Sequence, residues 1–241
     1  MIWPRDLFRR RKSQTPPTFE EYSLLAARAR DRPGFLPETG PEIHSDLFRY
    51  LTEQRGRGAG IIEVGCFKGA SSILFAYLCD KYGWPFYSLD ITPEYLEYTR
   101  KLLHELGLGS GGRFFLGSLE KFGRETRLAE RPALVFIDAN HSYPEVVKDI
   151  RALYELNRRP RAVAFHDFSL RSSNPADGRI FVDRAIFDCF GNGVEYRRIG
   201  QQFGENPVPS AESPSPAGAY WERNGSEGVL IELDGRELSS P

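Results

Sequence analysis

The feature that most constrains this chain is a repeated alternation of short apolar runs and helical stretches. GIIEVG precedes a predicted helix over 70–81, PFYSLD one over 93–106, RFFLG a short one near Leu119, ALVFID one over 143–156, and RAVAFHD closes the series. The apolar runs are continuous, not strictly alternating, which is the pattern of strands buried by helices on both faces. Parallel neighbours need crossover connections of about this length. The pattern therefore predicts an α/β fold with a doubly wound, mainly parallel sheet. Upstream, Phe19, Tyr22, Leu24 and Leu25 mark a helix between Pro16 and Arg30, PGFLPETGP is a turn-rich connector, and a second helix spans 42–54. Beyond Asp167 the spacing predicts a helix over 178–190, then VEYRRIG and a last strand, GVLIEL. The intervening segment 202–228, rich in Pro, Ser, Gly and Glu, is expected to be a mobile lid or a disordered insertion, and the strands flanking it can pair as a hairpin. The expected organisation is a basic flexible tail over 1–17, N-terminal helices over 18–57 and the α/β domain over 58–241.

Composition removes several function classes. With 32 Lys+Arg against 33 Asp+Glu the net charge is -1, so the chain lacks the basic field of a general nucleic-acid binder. The longest apolar runs, 73–79 and 133–137, are too short to span a bilayer. Cys66, Cys79 and Cys189 are odd in number and widely spaced, which argues against a disulfide framework and for a reducing, cytoplasmic setting. The start, MIWPRDLFRRRK, is too charged for a secretory signal. Its Arg5, Arg9, Arg10, Arg11 and Lys12 form a solvated tail, or a weak contact to an anionic membrane face.

Chemistry concentrates where the predicted strands end. After the first, Gly65 and Gly69 bracket a turn that opens a helix, an arrangement suited to close approach of an anionic group, although such glycines also serve geometry alone. The second strand ends in Asp90, placed to bond the two hydroxyls of a ribose. Neither GxGxxG nor GxxxxGK[ST] is present, which leaves a nucleoside ligand carrying a compact charged group. The fourth and fifth runs end in Asp138-Ala139-Asn140-His141 and His166-Asp167. Parallel strands bring these ends to one edge, where Asp138 and Asp167, with a His166 nitrogen, suit a divalent cation such as Mg²⁺ or Mn²⁺. His44 and His104 fall on helices away from that edge, and Tyr220-Trp221 is either a cover for a substrate or a packing anchor.

With EVGCFKGAS, SLD, FIDANHSYPEVVKDI and FHDF in this order, the chain from about Glu42 to Leu233 resembles the class I S-adenosylmethionine-dependent methyltransferases. It is most similar to the small-molecule O-methyltransferase branch that includes catechol-type and antibiotic-sugar-type enzymes. The resemblance implies a Rossmann-like sheet of seven strands whose last strand, GVLIEL, is antiparallel. It implies that Glu63, Gly65 and Gly69 line the methionine portion of the cofactor, that Ser71 bonds its carboxylate, that Asp90 holds the ribose and that Ser118 or Leu119 lies near the adenine. Asp138 matches the first metal-ligating aspartate, and His166-Asp167 falls on the pair completing the site, with His166 in place of a usual oxygen ligand. Asn140 stands where antibiotic-sugar relatives have an aspartate, and His141 where catechol-type relatives have a lysine. A neutral asparagine cannot take a proton usefully, whereas an imidazole titrates near neutrality, so His141 is the expected general base. The implied function is metal-assisted O-methylation of a sugar, glycan or other small molecule. Two rivals are a metal-dependent hydroxylase-like relative on the same fold and a non-catalytic cofactor-binding or interaction module with a degenerate site. The N-terminal helices offer a surface for a homodimer, and no motif fixes the acceptor.

Overall fold

The computed structural model describes residues 15–56, 58–108, 111–172, 180–210 and 219–238; the basic N-terminal run falls outside them. Two helices, α1 (Phe19–Arg30) and α2 (Pro41–Glu53), precede β1 (Ile61–Val64), α3 (Ala70–Tyr82), β2 (Phe86–Asp90), α4 (Pro93–Glu105), β3 (Gly112–Leu116), α5 (Leu119–Glu125), β4 (Leu134–Ile137), α6 (Tyr143–Glu155) and β5 (Ala162–Phe165). There follow β6 (Leu170–Ser172), α7 (Val182–Phe190), β7 (Arg197–Gln202), β8 (Val208–Pro209), β9 (Ala219–Trp221) and β10 (Ser226–Glu232). The main sheet has seven strands in the order β3-β2-β1-β4-β5-β10-β7. Its first five positions pair in parallel, and β10 is antiparallel to both β5 and β7, so the reversed strand lies inside the sheet with β7 at the edge.

Continuous apolar strands follow from a sheet that is covered twice. Successive side chains alternate faces, so Ile61, Phe86, Leu134, Phe136 and Ala164 join a core with α1–α4, while Ile62, Tyr87, Val135, Ile137 and Phe165 join a second core with α5–α7. Local chemistry sets the helix ends. The Thr18 hydroxyl accepts from the Glu21 amide to start α1, prolines stand in the first turns of α2, α4 and α6, and Gly83 closes α3 in the left-handed region.

Two expectations need correction. The helix predicted over 178–190 begins only at Val182, because the residues before it are tied to another element: Ile180 bridges Ser142, and the Phe181 amide donates to the His141 carbonyl. Residues 178–179 lie outside the described residues. The polar segment 202–228 is not a structureless insertion either. Apart from 211–218, which are outside the described residues, it contains β8, β9 and the start of β10, and β8 and β9 join β6 in a second sheet of order β6-β9-β8. Its low apolar content conceals a small core of its own, made by Leu170, Phe203, Ala219 and Trp221. The Trp221 and Phe203 rings stack at 4.8 Å, so Trp221 is a packing anchor. The expected hairpin is present as the β7–β10 pair.

Candidate active site

From β1 the chain winds outward through β2 to β3, and from β4 it winds the other way to β5, so connections diverge at the carboxyl ends of β1 and β4. A crevice at such a reversal is where open α/β sheets bind ligands. Here it forms a cavity of about 580 Å³. Its walls are Gly65 and Phe67 after β1, Asp90 and Ile91 after β2, Gly117 and Ser118 after β3, Asp138 to Ser142 after β4, Glu145 and Asp149 on α6, and Ser172, Ile180 and Ala219 on the opposite side.

At the β2 end the groups are satisfied. Asp90 Oδ2 accepts from the Cys66 and Phe67 amides at 3.1 and 3.2 Å, and Oδ1 accepts from the Thr92 amide at 2.9 Å. This carboxylate holds the turn after β1 in shape and still faces the cavity, where its remaining lone pairs can take ribose hydroxyls. Phe67 adopts a left-handed φ of 41°, which aims its amide at Asp90. Gly65 has a φ of 87°, and a Cβ there would collide with the Asp138 carbonyl and Ala139 Cα. Its glycine is required by the neighbouring loop.

Several residues carried over from the resemblance sit elsewhere. Gly69 does not line the cavity; a Cβ there would press on Thr99 and Leu102 of α4 at 3.1 and 3.2 Å. Glu63 is fully buried, and its carboxylate receives the Ser71, Ser72 and Ser88 hydroxyls at 2.9, 2.6 and 2.8 Å. Burial pushes Glu63 up to about 7 against the lowering effect of those hydroxyls. Glu63 and Ser71 thus form an internal strut between β1, β2 and α3 and do not face the ligand space. Leu119 is buried in the second core, whereas Ser118 lines the cavity and caps α5 by accepting from the Lys121 amide.

The β4–β5 end is built differently. Consecutive strand residues point to opposite faces, yet His166 and Asp167 both reach the same cluster, and the left-handed φ of 55° at Asp167 makes the turn that allows it. His141 Nε2 lies 2.9 Å from Asp167 Oδ2 and 3.4 Å from Asp138 Oδ1. His166 Nδ1 lies 3.0 Å from Asp138 Oδ1 and 3.2 Å from Asp167 Oδ1. Neither nitrogen has an oxygen in hydrogen-bonding alignment, and both are buried atoms. On its other side His166 Nε2 bonds Glu227 Oε1 at 3.2 Å, and Glu227 also accepts from the Gly40 and Gln201 amides. A ring that donates from Nε2 presents the Nδ1 lone pair to two carboxylates, an arrangement that demands positive charge between them. One ligand atom each from Asp138, His141 and Asp167 falls within 4.8 Å of the others.

The electrostatics follow from this packing. Burial opposes the charge on His141 and His166, but Asp167 and Asp138 overcome it, pushing His141 up to about 10 and His166 well above its usual value. Burial likewise opposes ionisation of Asp138 and Asp167, and the two rings outweigh it and hold both carboxyls below the usual range. The His141 Nε2 expected from the sequence to act as a base thus stands between two aspartates, which favour its protonated form. Glu38, in the connector between α1 and α2, also lines the cavity, and burial together with the charges of Asp138 and Asp167 raises it.

Three participants escaped the sequence reading. Glu38 lies in a segment legible only as turns, and Glu227 in one that reads as an insertion. Asp149 carried a usable signal, being an acid on the apolar stripe of Val146, Ile150 and Leu153.

Comparison with known proteins agrees with this architecture. Residues 62–168 match a family model described as a methyltransferase domain. An O-methyltransferase from Bacillus cereus in complex with SAH superposes with a TM-score of 0.54 at 14% identity, covering 91% of this chain and 93% of that one. The O-methyltransferase TomG from Streptomyces achromogenes, involved in tomaymycin synthesis and bound to SAM, gives 0.53 at 19% identity over 88% and 89%. A SAM-dependent O-methyltransferase from Thermotoga maritima gives 0.55 at 12% identity over 90% and 72%. No curated protein matches the sequence significantly. The chain thus matches a methyltransferase domain over residues 62–168 and shares the fold of these solved O-methyltransferases. Among the described residues no helix is long and apolar enough to cross a membrane.

Proposed function

We propose that the protein transfers the methyl group of S-adenosylmethionine to a hydroxyl of a small molecule, a sugar, glycan or phenolic compound, with the help of a divalent cation. One observation carries this reading: a nucleoside-type carboxylate, Asp90, lines the same cavity as Asp138 and His141, two members of a cluster of carboxylates and misaligned imidazole nitrogens. Asp138, Asp167 and His141 would hold the cation, with His166 Nδ1 as a fourth donor oriented by Glu227. A mixed oxygen and nitrogen set favours Mn²⁺ or a neighbouring divalent ion over Mg²⁺, which prefers oxygen alone. When bound, the cation supplies Lewis acidity toward the acceptor oxygen.

The chain's own groups do the rest. Asp90 fixes the ribose, Ile91 and Ala139 offer apolar surface along the cavity, and Glu38, the raised carboxyl beside the cluster, takes the acceptor proton as its oxygen attacks the sulfonium methyl in line. Incubation with S-adenosylmethionine, Mn²⁺ and panels of phenols and sugars should yield a product heavier by one methyl, together with S-adenosylhomocysteine. Glu38→Gln should lower turnover by about 10²-fold or more while leaving S-adenosylhomocysteine affinity unchanged. A protein that does not bind S-adenosylhomocysteine contradicts the assignment. The two-imidazole donor set also suits iron oxygenation chemistry, and a product gaining oxygen instead of a methyl would favour that second reading.

A further inference from the structure

Beside the connector between α1 and α2 lies a second cavity of about 200 Å³, which shares no wall residue with the one at the strand ends. One face of α1, from Phe19 to Arg30, lines it, together with Phe35, Pro37 and Thr39 of the connector and Ile73 of α3. The connector alternates between the two spaces: Pro37 and Thr39 face this cavity, and Glu38 faces the other. The walls are mostly apolar. A dry cavity of about 150 Å³ with such walls admits benzene, so this one has room for a single small ring.

Its polar groups carry one hydrogen too many. His44 meets the Tyr22 hydroxyl through Nδ1 at 2.6 Å and the Thr39 hydroxyl through Nε2 at 2.7 Å, and the Tyr22 and Thr39 residues are only 3% and 5% exposed. Burial lowers His44 to about 4, so at neutral pH the ring is uncharged and offers one N–H and one lone pair. One hydroxyl donates to that lone pair. The other accepts the ring N–H, and its own hydrogen is left over, because among the described residues no further acceptor reaches either hydroxyl. A buried donor without an acceptor is costly, so the position calls for an oxygen that arrives with a ligand. Arg30 indicates its charge. This residue lines the cavity, is exposed, and has no carboxylate partner among the described residues. Burial pushes the Tyr22 phenol up, and the Arg30 charge offsets part of that rise, which sets the guanidinium over the polar floor. We infer that this cavity is a second ligand site, for a small apolar molecule bearing a carboxylate whose oxygens take the spare hydroxyl hydrogen and the Arg30 guanidinium.

The test is calorimetric titration with phenylacetate, a ring carrying a carboxylate, and with phenylacetamide, its uncharged counterpart. The wild type should bind phenylacetate at a single saturable site and prefer it by about 10-fold or more, the range for hydrogen bonds to a charged group. Arg30→Gln, at an exposed position, should bring the two affinities within about threefold of one another. Ala27→Trp sets an indole into the opening from another exposed position of α1 and should abolish binding of both. A wild type that binds neither compound, or both equally well, overturns the inference, and that result needs no variant to fold. So does a folded Arg30→Gln protein that keeps the wild-type preference, or a folded Ala27→Trp protein that keeps the wild-type affinity, since the ligand then sits elsewhere. These outcomes are independent of methyl transfer, which belongs to the other cavity.

Discussion

At the β2 end of the cavity, Asp90 takes three backbone amides at 2.9 to 3.2 Å and is a finished piece of structure before any ligand arrives. At the β4–β5 end, two aspartates and two histidines stand within ion-pair distance, yet His141 Nε2 and His166 Nδ1 have no aligned acceptor. The first site is preorganised, with lone pairs to spare; the second leaves two imidazole nitrogens without aligned partners, the arrangement that the proposed cation would complete. Glu227 keeps His166 in place by bridging it to β7 and to Gly40 ahead of α2.

The largest effect that would break this contrast is Asp167→Ala. Turnover should fall by at least about 10³-fold, several kcal/mol of lost transition-state stabilisation, while S-adenosylhomocysteine affinity stays within about threefold. Substantial residual turnover would show that the cluster is only an ion-pair network. Next, Asp90→Ala should weaken S-adenosylhomocysteine by about 1.5–3 kcal/mol in calorimetry and also lower the melting temperature, because three amides lose their acceptor. An unchanged affinity in the folded variant would move the ribose elsewhere.

Gly69→Ala separates geometry from ligand contact. A side chain at φ 82° costs about 1–2 kcal/mol and presses on α4, so denaturant unfolding should register the loss while cofactor affinity holds. The smallest effect lies outside both ends, at His44, whose ring nitrogens meet the Tyr22 and Thr39 hydroxyls at 2.6 and 2.7 Å. Burial lowers His44 to about 4 from 6.5. The unfolded ring protonates first, so stability is full above pH 6.5 and declines as pH falls toward 4; at pH 5.5 the loss is about 1 kcal/mol. His44→Gln should flatten that part of the stability profile, and an unaltered pH dependence would assign it to other groups.

The same contrast governs what the sequence disclosed. The strands and crossover helices were legible because burial on both faces writes long apolar runs, and parallel topology then gathers Asp90, Asp138, His141, His166 and Asp167 at one edge. Roles within the edge were less legible, since they depend on side-chain direction. Glu63 and Ser71 turn inward to each other, Gly69 serves α4, and Leu119 belongs to the core. His141 reads as a base by residue type, and its contacts with Asp138 and Asp167 also make it part of the candidate cation site. The segment 202–228 reads as polar, yet its Phe203, Ala219 and Trp221 pack with Leu170 from an earlier element, and Glu227 inside it draws its meaning from His166.

Titration of Mn²⁺ into the protein by calorimetry tests the proposed cation site at the β4–β5 end most directly. One saturable site should appear in the wild type, with or without S-adenosylhomocysteine, and vanish in the paired variant Asp138→Asn, Asp167→Asn, whose S-adenosylhomocysteine binding persists. Absence of Mn²⁺ binding to the wild type, or a site unchanged in the paired variant, would contradict the account.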